Sequence, residues 1–221
     1  MKVCMVTVGH APRTDLSPDM IGLLGDRYEV TQMGSLDAFS VEDALSSLAP
    51  QGDEETTVTR LRDGTMATLS TKLVLPYLRD VIKRAGEDSQ AVILMCTGKF
   101  QALECPVPLL VPYELMHSIV PVIASGVKIG ALFPMEEYAE DMLNGWRNHG
   151  LDVVYGCMRP PGTEDDLRDA TANMKDIGLL LLDCIGYTAQ IRDTASDMLG
   201  VPVLHPKTLM ARVLDTLANQ Q

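Results

Sequence analysis

Apolar residues in this chain follow two rhythms. Short continuous runs, each closed by glycine or a polar residue, predict buried parallel strands. They cover residues 2–8 (KVCMVTV), 91–95 (AVILM), 107–111 (VPLLV), 127–133 (VKIGALF), 151–156 (LDVVYG), 179–183 (LLLLD) and 201–204 (VPVL), with a weaker run at 28–34 (YEVTQMG). Between them apolar residues recur every three or four positions. Val74, Leu78, Val81, Ile82 and Ala85 share one helical face, and further helices are predicted over 112–124, 134–150, 163–178, from about Thr188 to Leu199, and over 206–218. Pro76 leaves the start of the first of these open. Pro112 suits a first turn, Gly150 a helix end, and Thr163 an N-cap followed by acids that match the helix dipole. One stretch, 56–70, alternates about Asp63-Gly64 and predicts an antiparallel hairpin. Strands alternating with helices define an α/β fold with a mostly parallel sheet.

An internal repeat refines this picture. Residues 108–124 (PLLVPYELMHSIVPVIA) align without gaps on 202–218 (PVLHPKTLMARVLDTLA). Pro108, Leu110, Pro112, Leu115, Met116 and Ala124 meet Pro202, Leu204, Pro206, Leu209, Met210 and Ala218. Upstream of each copy an apolar strand ends on cysteine with glycine two places on: VILMCTG (92–98) and LLLDCIG (180–186). The chain therefore predicts two similar Rossmann-like α/β halves with mostly parallel sheets, related by a pseudo-twofold axis. The expected lobes are 1–105 plus 203–221, and 106–202.

Composition and charge narrow the class. The 221 residues are 46% hydrophobic, which suits a globular chain, and no apolar run approaches a membrane span of about 20 residues. MKVCMVTVGHAPRTD turns polar after eight residues, so no signal peptide is read. A net charge of −12 argues against nucleic acid and anionic membranes as partners, and requires a locally positive pocket for any anionic substrate. Five widely spaced cysteines form neither CxxC nor a zinc pattern, so no metal is expected, and reduced thiols point to the cytoplasm.

The paired strand-end thiols carry the chemistry. Ligands of open parallel sheets bind at the carboxyl ends of strands. Two facing halves would bring Cys96 and Cys184 to opposite sides of one carbon, where one thiolate removes a proton and the other thiol returns one. A thiol near pKa 8.5 needs little tuning for this task. The turn after each cysteine is expected to lead toward a helix whose free N–H groups hold a substrate carboxylate and favour a thiolate; Gly98 and Gly186 belong to these turns. Arg13, just past the first strand, is the expected carboxylate ligand because its fork suits bidentate binding. Asp37 and Tyr187 are further substrate-binding candidates, with His10 and Asp15 as auxiliary groups. Asp183 is expected to be structural, because strand alternation points it away from Cys184. Cys105, Cys157 and His117 are read as packing or surface residues.

The segments TVGHAPRTD (7–15), GSLDAF (34–39), LRDGT (61–65), MCTGKF (95–100), LFPMEE (132–137) and LLDCIGYT (181–188) together resemble the AroM family of the aspartate/glutamate racemase superfamily, over nearly the whole length. The resemblance implies a racemase-like fold, no cofactor, and a small carboxylate-bearing, amino-acid-like substrate; a homodimer is allowed for. It matches Cys96 and Cys184 to two catalytic thiols, and Thr97 to a substrate-binding residue. Two departures stand out. Amino-acid racemases of the superfamily carry Asp-Ser after the first strand, where this chain has Gly9-His10. They carry Thr-His after the second cysteine, where this chain has Ile185-Gly186. Three functions stay open on sequence: a two-thiol racemase or isomerase, a decarboxylase or isomerase using Cys184 alone, and a metabolite-binding protein without turnover.

Overall fold

The computed structural model describes residues 1–218. The chain divides into two compact units, one spanning Met1–Val111 and one beginning at Pro112. The first holds β1 (Lys2–Thr7), α1 (Ser17–Leu24), β2 (Glu29–Gly34), α2 (Val41–Ser47), β3 (Thr56–Arg60), β4 (Met66–Ser70), α3 (Thr71–Glu87), β5 (Ala91–Leu94) and β6 (Leu109–Leu110). The second holds α4 (Pro112–Ile123), β7 (Ile129–Phe133), α5 (Ala139–Arg147), β8 (Val153–Cys157), α6 (Glu164–Thr171), β9 (Leu179–Leu182), α7 (Ala189–Leu199), β10 (Val203–Leu204) and α8 (Pro206–Ala218).

The main sheet of each unit is wholly parallel, and the two share one topology. The order is β2-β1-β5-β6 in the first and β8-β7-β9-β10 in the second. Counted within each unit, the second strand lies outside the first, and the third and fourth follow on the other side. By this order β5 and β9, the strands that end at Cys96 and Cys184, occupy equivalent central places. The expected lobe boundaries differ from the observed division. β6 pairs with β5 and so closes the first sheet, although 106–111 were expected in the second lobe. Val203 and Leu204 pair with Leu180 and Leu181 in the second sheet, and α8 packs on α4, so 203–218 belong to the second unit. Residues 219–221 of that expectation lie outside the described residues.

Burial explains why the strands are so apolar. β5 and β9 are buried at every position, as parallel strands covered on both faces must be. In β9, Leu179 and Leu181 join a core with Trp146, Phe133 and Leu143 on one face. Leu180 and Leu182 join a second core with Tyr187, Leu167 and Ile191 on the other. Each fully buried leucine stabilises the fold by about 1.5–3 kcal/mol relative to exposure.

Local chemistry sets the element ends. The hairpin β3–β4 pairs Thr56 with Ser70 through Arg60 with Met66, and Asp63 closes its turn by accepting from the Thr65 amide and hydroxyl, both at 2.9 Å. Ser70 caps α3 by accepting from the Leu73 amide, so the helix begins five residues ahead of Pro76 and carries that proline inside. The helix predicted over 134–150 is shorter: a 3₁₀ turn at Glu136–Tyr138 precedes α5. That predicted over 163–178 stops at Thr171, after the capping box of Thr163 and Asp166. Helices α1 and α2 had no counterpart in the sequence reading.

Candidate active site

In the first unit, the loop after β1, the end of β2 and the end of β5 converge at the carboxyl edge of the sheet. The β1–β5 ladder pairs Val6 with Leu94, and the Met95 amide extends it by donating to Val6 O at 2.7 Å. Cys96 follows at once, partly buried. Its sulfur accepts the Gly98 amide at 3.4 Å. Burial pushes the Cys96 thiol above its ordinary range, while the Gly98 N–H and the Arg13 charge hold part of that rise back. Thr97 and Gly98 are partly exposed beside it.

The other predicted residues of this unit are engaged internally. Asp37 accepts the amides of Ala11 and Gly34, each at 2.8 Å, and so clips the β1 loop to the end of β2. Gly34 has no room for a side chain, because a Cβ would stand 2.5 Å from Ala11 N, Asp37 Oδ1 and Gly9 O. His10 is 1% exposed; its Nε2 lies 3.0 Å from Phe39 O, and its Nδ1 accepts the Arg62 amide at 3.3 Å. Both ring nitrogens of the residue expected as an auxiliary base are thus engaged with the backbone. Arg13 donates from Nε and Nη2 to the two carboxylate oxygens of Asp15, at 2.8 and 2.7 Å. Burial raises the Asp15 pKa, and the Arg13 hydrogen bonds and charge outweigh it, leaving the carboxyl below its ordinary value. Arg60, on the hairpin, reaches the same carboxylate at 3.5 Å; the sequence reading did not single it out.

The second unit repeats the thiol setting. Cys184 follows β9, is partly buried, and its sulfur accepts the Gly186 amide at 3.4 Å, as Cys96 does from Gly98. Gly186 is pressed against Pro160, whose Cβ would lie 2.6 Å from a Cβ at that position. The turn then enters α7, where Thr188 Oγ1 accepts the Ile191 amide. No such helix follows Cys96. Residues 95–108 run irregularly to β6, because Pro106 and Pro108 interrupt a stretch with no helical apolar face.

Asp183 and Cys184 part company across the sheet. Asp183 continues the Leu179–Leu181 face and accepts the Trp146 indole N–H at 2.8 Å, whereas Cys184 packs on the Leu180–Leu182 face. Burial lifts the Asp183 pKa to about 6 against the lowering effect of the indole hydrogen bond. His117 stacks on Trp146 with centroids 3.9 Å apart, a packing role as expected from the sequence. Tyr187 is fully buried, and its hydroxyl lies 2.9 Å from Phe133 O and 2.6 Å from Met158 O. The side chain expected to meet substrate is thus a tie between the ends of β7 and β8. An open cavity of about 770 Å³ lies at the end of β8, lined by Cys157, Arg159 and Pro160 among others. Burial and the neighbouring Glu136 carboxylate push the Cys157 thiol up to about 12.

Two matching parallel sheets, each with a thiol at the end of a central strand, make up this fold, and solved structures share it. Allantoin racemase from Pseudomonas fluorescens superposes with a TM-score of 0.61 at 14% identity, covering 100% of this chain and 92% of that one. Maleate isomerase from Pseudomonas putida S16 gives 0.62 at 10% identity, covering 99% and 93%. Picrophilus torridus aspartate racemase gives 0.59 at 11%, covering 99% and 95%. The chain belongs to the AroM protein family, whose model matches residues 3–218. A search of curated proteins gave no match.

Proposed function

We propose that this protein is a cofactor-independent racemase or isomerase of a small, amino-acid-like carboxylate compound, with Cys96 and Cys184 as its acid/base groups. The observation that carries the reading is the duplicated thiol: two cysteines at the ends of equivalent strands, each with its sulfur 3.4 Å from the amide of the glycine two residues on. An N–H aimed at sulfur stabilises the thiolate more than the thiol, which a proton carrier needs when it alternates between the two. In the forward direction one thiolate takes the proton from the carbon next to the carboxylate, and the other thiol delivers a proton to the opposite face. The reverse direction exchanges their roles. Thr97, Gly98 and Gly186 are the groups assigned to hold substrate. Family membership and the racemase and isomerase names of the fold neighbours support the same class. Five free thiols fit a reducing, cytoplasmic setting; among the described residues no helix is long and apolar enough to cross a membrane.

The test is deuterium uptake at Cα in heavy water across a panel of amino and hydroxy acids. Exchange with at least one of them is expected. In Cys96→Ala and Cys184→Ala, racemisation should fall by at least about 10²-fold, the lower bound for removing a general acid/base group. Absence of exchange across the panel would refute the proposal. Retained turnover in Cys96→Ala would move the chemistry to Cys184 alone.

A further inference from the structure

Three charged side chains from two segments meet at the carboxyl end of β1. Arg13 gives one side of its guanidinium to Asp15 through two hydrogen bonds, and its backbone N–H donates to Gln32 Oε1 on β2 at 2.9 Å. Asp15 also receives Arg60 from the hairpin. The remaining nitrogen of Arg13, Nη1, lies 3.5 Å from the hydroxyl of Thr7, the last residue of β1. At this level β1 runs beside β5, whose ladder ends one residue short of Cys96. The Arg13 side chain is only 15% exposed. Asp15 fills the Nε/Nη2 side of the fork and the Thr7 hydroxyl stands at Nη1, so the charge is held at the thiol end of the sheet.

We propose that Arg13 is a positioning residue whose charge, fixed by Asp15, serves the thiolate of Cys96. The direction in which Arg13 acts on the Cys96 thiol agrees. The other charged groups about this strand end are committed or turned outward. Asp37 holds two backbone amides, Arg62 donates to Asp37 O and Phe39 O, Arg79 donates to Gln101 O, and Lys99 and Glu104 are exposed. This assignment takes its purpose from the acid/base reading of Cys96, but the test reads the thiol itself.

The experiment follows alkylation of Cys96 by iodoacetamide from pH 6 to 10, with the Cys96 peptide quantified by mass spectrometry in the full, folded chain. Arg13→Gln should raise the midpoint by about 0.5–1 pH unit, as expected for removal of a nearby opposite charge. Arg13→Lys should stay within about 0.3 unit of the wild type. Asp15→Asn keeps an oxygen for the fork but removes the charge opposing Arg13, so its midpoint should fall. A midpoint that stays put, or moves the other way, in any folded Arg13→Gln or Asp15→Asn protein overturns the proposal. So does an Arg13→Gln protein that only loses its thermal stabilisation by malonate, with the midpoint unchanged. Failure to find a turned-over substrate would leave the midpoint result standing, so the two readings fail separately.

Discussion

Asp183 shows how one carboxyl can be adjacent to a thiol in sequence and yet belong to a different part of the protein. Its neighbour in space is Trp146, not Cys184, and its environment holds a proton far above the ordinary range for aspartate. The stability consequence has a definite sign. In the unfolded chain the carboxyl titrates near 3.8; in the fold it titrates near 6. Between these values the fold retains a proton that the unfolded chain has lost, so stability falls as pH rises from about 4 to about 6 and stays lower above that. The ceiling of the effect is about 3 kcal/mol, from roughly 1.36 kcal/mol per pH unit. Asp183→Asn keeps an acceptor for the indole N–H and removes the buried charge. It should stabilise the protein by about 1–2 kcal/mol at pH 7.5 and flatten the pH dependence between 4 and 7, measured by denaturant unfolding. A variant less stable than wild type at pH 7.5 would contradict this account.

Strand ends and loops, more than single side chains, decide what the site is made of. The tyrosine hydroxyl of residue 187 joins two carbonyls at the ends of β7 and β8, so it ties these elements together. Tyr187→Phe is expected to cost about 1–3 kcal/mol, the penalty for leaving buried carbonyls short of a donor. Urea unfolding would show the loss; unchanged stability with impaired turnover would restore Tyr187 as a substrate ligand. The same case shows what a sequence can and cannot reveal. Continuous apolar runs closed by Cys-x-Gly were readable because burial on both faces of a parallel strand leaves a mark at every position. The separation of Asp183 from Cys184 was readable because side chains alternate. The contacts of His10, Asp37 and Tyr187 were not, since each has a partner at least 26 residues away along the chain, as with Ala11–Asp37 and Phe133–Tyr187. Helices α1 and α2 left little trace because they are eight and seven residues long, too short for a periodic face to stand out.

The whole chain carries 30 acidic and 18 basic side chains, a net charge of −12, and this bears on stability independently of any single pair. Self-repulsion of that size favours expansion and is screened by salt. Exposed pairs such as Arg168–Glu164 and Arg84–Asp80 work in the opposite sense, but each contributes only about 0–1 kcal/mol and salt removes little when they go. Repulsion should therefore win, and the melting temperature should rise between about 10 and 200 mM NaCl at pH 7.5, as the Debye length shrinks from about 30 Å to below 10 Å. Lowering pH from 7.5 toward 6 should also stabilise the fold, through protonation of Asp183. The two contributions separate cleanly. Salt screens surface repulsion but barely reaches a carboxylate buried behind Trp146. In Asp183→Asn the salt dependence should persist at its wild-type size while the gain on acidification shrinks. If salt instead lowered the melting temperature of both proteins, the surface ion pairs would outweigh the net charge, and the acidic surface would be better neutralised locally than its total suggests.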